Sequence, residues 1–193
     1  IQPDDLEYAR DLGLGLKLIG TAERIGADSL SVRVYPAFLY PGHPLASVSG
    51  PFNAVTVESS AITEITMSGP GAGGPQTASA VLGDVLSTML GSAAPLPPLK
   101  ALPLLSDVPS GFYIHMEVAD RPRALATIAH ELGEQGASIK SVVQHGLGEH
   151  ARLMMVIHPL AESRLREALR RIGDLDFLRS TPRAIRVIEE EFM

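Results

Sequence analysis

Apolar residues recur along this chain with two periods, and each change of period marks an element. Near the start, Asp4 or Asp5 can cap a short helix that carries Leu6, Ala9 and Leu12 on one face and closes at Gly13. Residues 16–22 and 30–38 then read as strands. In the second, Leu30, Val32 and Val34 face one way while Ser31, Arg33 and Tyr35 face the other. Pro36, Pro41 and Pro44 interrupt the chain, and residues 53–58 and 62–67 form a further strand pair around Ser59-Ser60. A Gly-rich turn over 69–75 leads into a helix starting near Thr77. That helix is expected to bury Ala78, Val81, Leu82, Val85, Leu86 and Met89.

Beyond residue 110 the pattern is βαββαβ. Phe112, Ile114, Met116 and Val118 alternate with Tyr113, His115 and Glu117, the signature of a strand. Pro122 opens a helix with Leu125, Ile128, Ala129 and Leu132 on one side, ended by Gly136. Residues 138–144 and 152–158 make a hairpin. A second helix carries Leu165, Ala168, Leu169 and Ile172, and residues 184–188 give the last strand. This order predicts a ferredoxin-like, split βαβ fold. Between the two patterned regions the repeated prolines of 91–109 remove backbone donors and exclude a regular helix or central strand. Three parts are therefore expected: an incomplete mixed α/β portion over 1–91, a semi-rigid linker over 92–110 whose leucines can pack on a domain surface, and an α+β domain over 111–193.

Composition narrows the function. Of 193 residues, 20% are charged and the formal net charge is −6, with no basic block. A nucleic-acid surface needs a cationic stripe to displace phosphate counterions, so that class is disfavoured. The helix bearing Arg164, Arg166, Arg170 and Arg171 interleaves them with Glu162, Glu167 and Asp174, which reads as a solvated face. No apolar run is long enough to cross a bilayer. The absence of cysteine excludes disulfides and thiolate chemistry and fits a cytoplasmic setting. The opening Ile1-Gln2-Pro3 does not resemble a translation start, so the chain is expected to come from inside a longer polypeptide.

Candidate chemistry is sparse. The Gly69–Gly74 turn can bring backbone N–H groups close to a ligand at a helix start; it can equally be a strand-to-helix turn that needs positive φ. His43, in a loop before a proline, is either a proton-handling group or a structural one. The remaining histidines show no metal-ligand spacing, and no metal is expected. Glu58 and Glu64, on neighbouring strands, are unassigned.

Two blocks carry a family resemblance. His43-Pro44-Leu45-Ala46-Ser47-Val48-Ser49-Gly50 with Asn53-Ala54-Val55, Gly69-Pro70-Gly71-Ala72-Gly73 and Thr77-Ala78-Ser79-Ala80-Val81 resembles the end of the homoserine dehydrogenase catalytic region. Ala119-Asp120-Arg121-Pro122-Arg123-Ala124-Leu125-Ala126, with Ser138-Ile139-Lys140-Ser141-Val142-Val143-Gln144, resembles the ACT domain attached to many bacterial members.

The resemblance implies an NAD- or NADP-dependent interconversion of L-homoserine and L-aspartate 4-semialdehyde, feeding threonine, methionine and isoleucine synthesis. It implies that the dinucleotide is bound mainly by an N-terminal domain and that the catalytic lysine precedes this chain. No strand-Gly-x-Gly-x-x-Gly-helix unit is present, and Lys17, Lys100 and Lys140 are not assigned as catalyst, so this chain alone is expected to be inactive. Gly73 takes the position that touches the nicotinamide cofactor. The ACT portion implies a homo-oligomer, dimer or tetramer. An amino-acid effector, threonine foremost and isoleucine second, is expected at Asp120, Arg123, Ala124 and Leu125, with Ser138, Ile139 and Gln144 on the facing strand. The family usually has Gly where Arg123 stands, so this side chain either obstructs the effector or supplies a charge to its carboxylate. An ACT domain kept only for assembly, and a free-standing ACT-type regulator, are the competing readings.

Overall fold

The computed structural model describes residues 1–91 and 100–188; the first part of the expected linker, 92–99, and the last five residues lie outside them. In chain order the elements are α1 (Pro3–Asp11), β1 (Gly15–Ile25), β2 (Ser29–Leu39), β3 (Phe52–Ser59), β4 (Thr63–Pro70), α2 (Gly74–Met89), β5 (Ser110–Val118), α3 (Ala124–Glu134), β6 (Ile139–His145), β7 (Ala151–Leu160), α4 (Glu162–Gly173) and β8 (Arg183–Ile188). They form two compact units, one of residues Ile1–Pro41 with the chain from Leu102 onward, the other of Gly42–Ala101.

The first unit is built on a six-stranded sheet in the order β1-β2-β8-β5-β7-β6. Its β8-β5-β7-β6 portion, with α3 and α4, is the βαββαβ arrangement. Phe112, Ile114, Met116 and Val118 bury one sheet face against Ile128 and Leu132 of α3 and Leu165, Ala168 and Ile172 of α4. The second face is buried as well. Tyr113, Val156, Ile185 and Val187 pack against Tyr8 and Ala9 of α1 and Phe38 of β2. A sheet covered on both faces loses the polar-out alternation, which is why Tyr113 and His115, on the polar side of the pattern, are fully buried.

The join is made by β2, which runs parallel to β8 with Ala37 opposite Arg186 and Leu39 opposite Ile188, while β1 pairs antiparallel with β2 on the outside. Residues 1–41 thus extend the sheet of the C-terminal domain, and the compact units cut across the expected boundary at the linker. The later part of that linker is strapped down. Leu30 N–H donates to Pro103 O at 3.0 Å and Leu105 N–H to Leu30 O at 2.7 Å. Asp107 accepts from the Ser163 N–H at 3.0 Å and its hydroxyl at 2.5 Å, capping α4 from outside the helix.

Two expected faces differ, those of α1 and α2. In α1 the buried residues are Asp5, Tyr8 and Ala9, whereas Leu6 and Leu12 are exposed, because a carboxylate is drawn inward by Arg183. In β2 the expected alternation is present, and the polar set is the one turned inward: Val32 and Val34 are exposed, and Ser31 is fully buried. The second unit holds the β3–β4 hairpin and α2. There α2 starts at Gly74, not Thr77, and Val81, Leu82, Val85, Leu86 and Met89 are exposed. One hairpin and one helix enclose too little volume to bury a helix face.

Candidate functional site

A cleft of about 400 Å³ opens where β5 turns into α3. Its apolar floor is Val118 and Leu153, both buried in the sheet, and its walls include Asp120, Arg123, Ala124, Leu125 and Gln144. The turn is held from three sides. Ala119 N–H donates to Phe177 O at 2.8 Å and Asp120 N–H to Gly148 O at 2.7 Å. Arg121 forks onto the Asp176 carboxylate, donating from Nη1 at 2.9 Å, and lies 4.6 Å over the Phe177 ring. The Arg121 guanidinium holds the Asp176 carboxyl below the usual carboxylate range.

At the mouth of α3 the N-cap is Arg123, with φ 76 and ψ −4, and no side chain caps the helix. That is the left-handed region, which a glycine occupies without strain and an arginine occupies at a cost of roughly 1–2 kcal/mol. Only part of the first turn is satisfied locally: Ala124 N–H reaches Arg121 O at 3.1 Å and Thr127 N–H reaches Arg123 O at 2.9 Å. N–H groups of an uncapped helix start, backed by the helix dipole, suit an anion. Among the described residues the Arg123 guanidinium has no ion-pair partner and is exposed beside the cleft. The arrangement therefore offers donors and one cation for a carboxylate, with the Gln144 amide and the Asp120 carboxylate available to a second polar group.

Five of the seven residues expected at the effector site meet here, and two do not. Ser138 and Ile139 lie at the opposite end of β6 from Gln144, roughly 15–20 Å along the strand. Because β6 is antiparallel to β7, only its C-terminal end comes alongside the start of α3. Ser138 O accepts the His158 N–H at 2.8 Å, and Ile139 packs against the core. The bracing residues Asp176, Phe177 and Gly148 were not anticipated; they are distant in sequence and carry no local motif.

Gly73 stands at the N-cap of α2 with φ 135 and ψ 149, also without a side-chain cap. A Cβ there would lie 2.3 Å from Gln76 Oε1, and at Gly71 it would lie 1.7 Å from Asn53 Nδ2. Gly71 is required by packing and Gly73 by its backbone angle. The conformational need for glycine is thus real, and the helix end has no side-chain cap although the Gln76 side chain folds over Gly73. His43 has a capping role, since its Nδ1 accepts the Leu45 N–H at 3.1 Å at the start of the short 3₁₀ turn Pro44–Ser47.

The comparisons with known proteins bear on both halves of the chain. The sequence model described as homoserine dehydrogenase matches residues 1–86, and that described as ACT domain matches residues 112–177. The homoserine dehydrogenase of Mycobacterium leprae is 37% identical over 204 residues, which take in 97% of this chain and 46% of that protein. The chain matches the C-terminal region of the homoserine dehydrogenase family, joined to an ACT domain. The Corynebacterium glutamicum homoserine dehydrogenase is 38% identical over 176 residues, 86% of this chain and 40% of its own length. Among solved structures, a homoserine dehydrogenase from Thiobacillus denitrificans superposes with a TM-score of 0.86 at 28% identity, over 96% of this chain and 45% of that one. The chain spans just under half the length of the curated homoserine dehydrogenases it matches. In this frame β2 comes from the dehydrogenase-matched segment and β8 lies beyond the ACT match, so one sheet joins the two.

Proposed function

We propose that this chain is the C-terminal part of an NAD- or NADP-dependent homoserine dehydrogenase, completing its substrate domain and carrying an amino-acid-responsive ACT domain. The bound nicotinamide would supply the hydride acceptor and donor for homoserine and aspartate 4-semialdehyde. The chain's own contribution to cofactor binding is Gly73, at the start of α2, whose first-turn N–H groups carry no side-chain cap and which the Gln76 side chain must leave for a ligand to approach. Residues that transfer protons to substrate belong to sequence outside this chain.

The observation that carries the regulatory half of the reading is the cleft at the start of α3. An amino-acid effector, threonine foremost, sets its carboxylate against the first-turn N–H groups and Arg123, and its remaining polar groups against Gln144 and Asp120. The continuous sheet from β6 to β1 gives such an event a mechanical route into the substrate-domain segment. Open edges at β1 and β6, and the exposed apolar residues of α2 and of β3–β4, suit a homo-oligomer and the rest of the catalytic domain as partners. Among the described residues no helix is long and apolar enough to cross a membrane, and the reading is that of a cytoplasmic enzyme.

The test uses the natural polypeptide that contains this chain. Nicotinamide reduction in the presence of homoserine is expected, and the 193-residue chain alone is expected to give none. Added threonine should shift the amide resonances of Leu125 and Ala126 in the 193-residue chain. Absence of turnover in the natural polypeptide would remove the enzyme reading; turnover with no threonine response leaves the ACT domain as an assembly module.

A further inference from the structure

A second, larger cleft of about 530 Å³ lies between β2, β8 and α4, away from the start of α3. Three guanidinium groups line it, Arg33, Arg166 and Arg186, against one carboxylate, Glu162. Two of the three are about nine-tenths buried, the side chains of Arg33 and Arg186 being 10% and 11% exposed. Neither is fully satisfied. Arg33 donates to Glu23 at 2.7 Å and to Ser110 Oγ at 3.3 Å, yet its Nε is buried without an acceptor. Arg186 pairs with Glu162 through Nη2, and its Nη1 is buried without an acceptor. The hydroxyls of Thr21 and Ser31, on β1 and β2, are also buried and unpartnered.

A buried guanidinium with an unused donor is costly, and a concentration of such groups in one place calls for a missing acceptor. Arg33 and Tyr35 of β2 line the cleft together with part of the exposed Val34, while Val32 is exposed and lies outside the lining. Arg186 lies 4.6 Å over the Tyr35 ring and 5.6 Å from Phe112, so an aromatic wall stands beside the cationic pair. Leu165 and Leu169 of α4 add apolar surface.

We infer that this cleft is a binding site for a small organic anion, whose carboxylate or phosphate group is taken by Arg33 and Arg186 and whose body rests on Tyr35, Phe112 and the α4 leucines. Both guanidinium groups line the cleft and each has a donor without an acceptor, and arginine pairs well with carboxylate and phosphate oxygens. The occupant touches β2 from the dehydrogenase-matched segment and β8 and α4 from the C-terminal domain, so it clamps the seam between them. This inference rests on the cleft's own geometry and stands or falls apart from the dehydrogenase reading.

The test titrates inorganic phosphate, and separately phenylacetate, into the 193-residue chain at an ionic strength held constant with chloride. Side-chain NMR resonances of Arg33 Nε–H and the Arg186 guanidinium are the readout. A saturable shift with a Kd of about 1 mM or tighter is expected for at least one probe. Phosphate alone assigns a phosphoryl ligand, and phenylacetate alone a carboxylate with an apolar body. Arg186→Lys is expected to weaken binding by about tenfold, because an ammonium cannot reproduce the fork. Glu162→Gln, which frees Arg186 from its competing carboxylate, is expected to tighten it. The exposed Arg166→Gln should cost about twofold and leaves the fold untouched. Linear, unsaturable shifts with both probes overturn the inference, as does an affinity unchanged in both Arg186→Lys and Glu162→Gln.

Discussion

The Arg183 guanidinium reaches the Asp5 carboxylate at 3.1 Å, joining α1 to the last strand across nearly the whole chain, with Asp5 completely buried. The second oxygen of Asp5 accepts the Gln2 N–H at 2.8 Å, and Arg183 also meets His115 Nδ1 at 2.9 Å. This network fastens the N-terminal helix to the sheet of the ACT domain.

Removing one partner of a buried pair leaves the other charge without compensation. Asp5→Ala should therefore lower stability by about 3 kcal/mol in urea denaturation. Asp4, which meets Arg183 at 3.6 Å and is partly exposed, is the control; Asp4→Ala should cost under about 1 kcal/mol. Equal losses in the two variants would show that the buried pair has no special weight.

His115 makes this junction sensitive to acid. Burial, and then the neighbouring Arg183 charge, push its pKa below the ordinary 6.5, against opposing pulls from Asp5, Asp4 and Glu117. Arg183 can only donate, so His115 Nδ1 accepts and the ring is neutral. The unfolded chain then binds a proton at higher pH than the folded one. Stability is full above about pH 6.5 and falls as pH drops from there toward the folded pKa. Melting temperatures across this range should decline for the native chain and stay flatter for His115→Gln; parallel curves would assign the slope to other groups.

At Arg123 the backbone cost can be recovered. Arg123→Gly removes the left-handed strain of φ 76, less the extra entropy glycine loses on folding, for a net gain of up to about 1 kcal/mol. Arg123→Ala keeps the strain and should gain nothing. In a threonine titration the two variants also separate obstruction from charge: weaker binding in both means the guanidinium contributes, whereas tighter binding in glycine means it obstructs.

Asp107 holds the end of the linker to α4, and its two hydrogen bonds to Ser163 keep its carboxyl below the usual range. Asp107→Ala should cost about 1 kcal/mol, as loss of a helix cap does. It should also speed proteolysis within residues 100–107 and amide exchange in the first turn of α4. Unchanged exchange there would mean that the cap is dispensable.

Much of the architecture is determined locally. The βαββαβ order is legible because alternating residues such as Phe112, Ile114 and Met116 differ in period from Leu165, Ala168 and Ile172, and those periods are properties of the backbone itself. The family phrases around Gly73 and Asp120 are equally visible, as is the oddity of an arginine at 123. What the sequence could not decide is which face of an element meets which partner. Ser31, Arg33 and Tyr35 alternate correctly with Val32 and Val34, but only the pairing of β2 with β8 and the position of α4 turn the polar set inward. That pairing joins residues about 150 positions apart, and nonlocal contacts leave no periodic trace. The same reason separates Gln144, carried to the start of α3, from Ser138 and Ile139 at the far end of one short strand. It also hides the two arginines, 33 and 186, whose meeting in one cleft is a product of the tertiary fold alone.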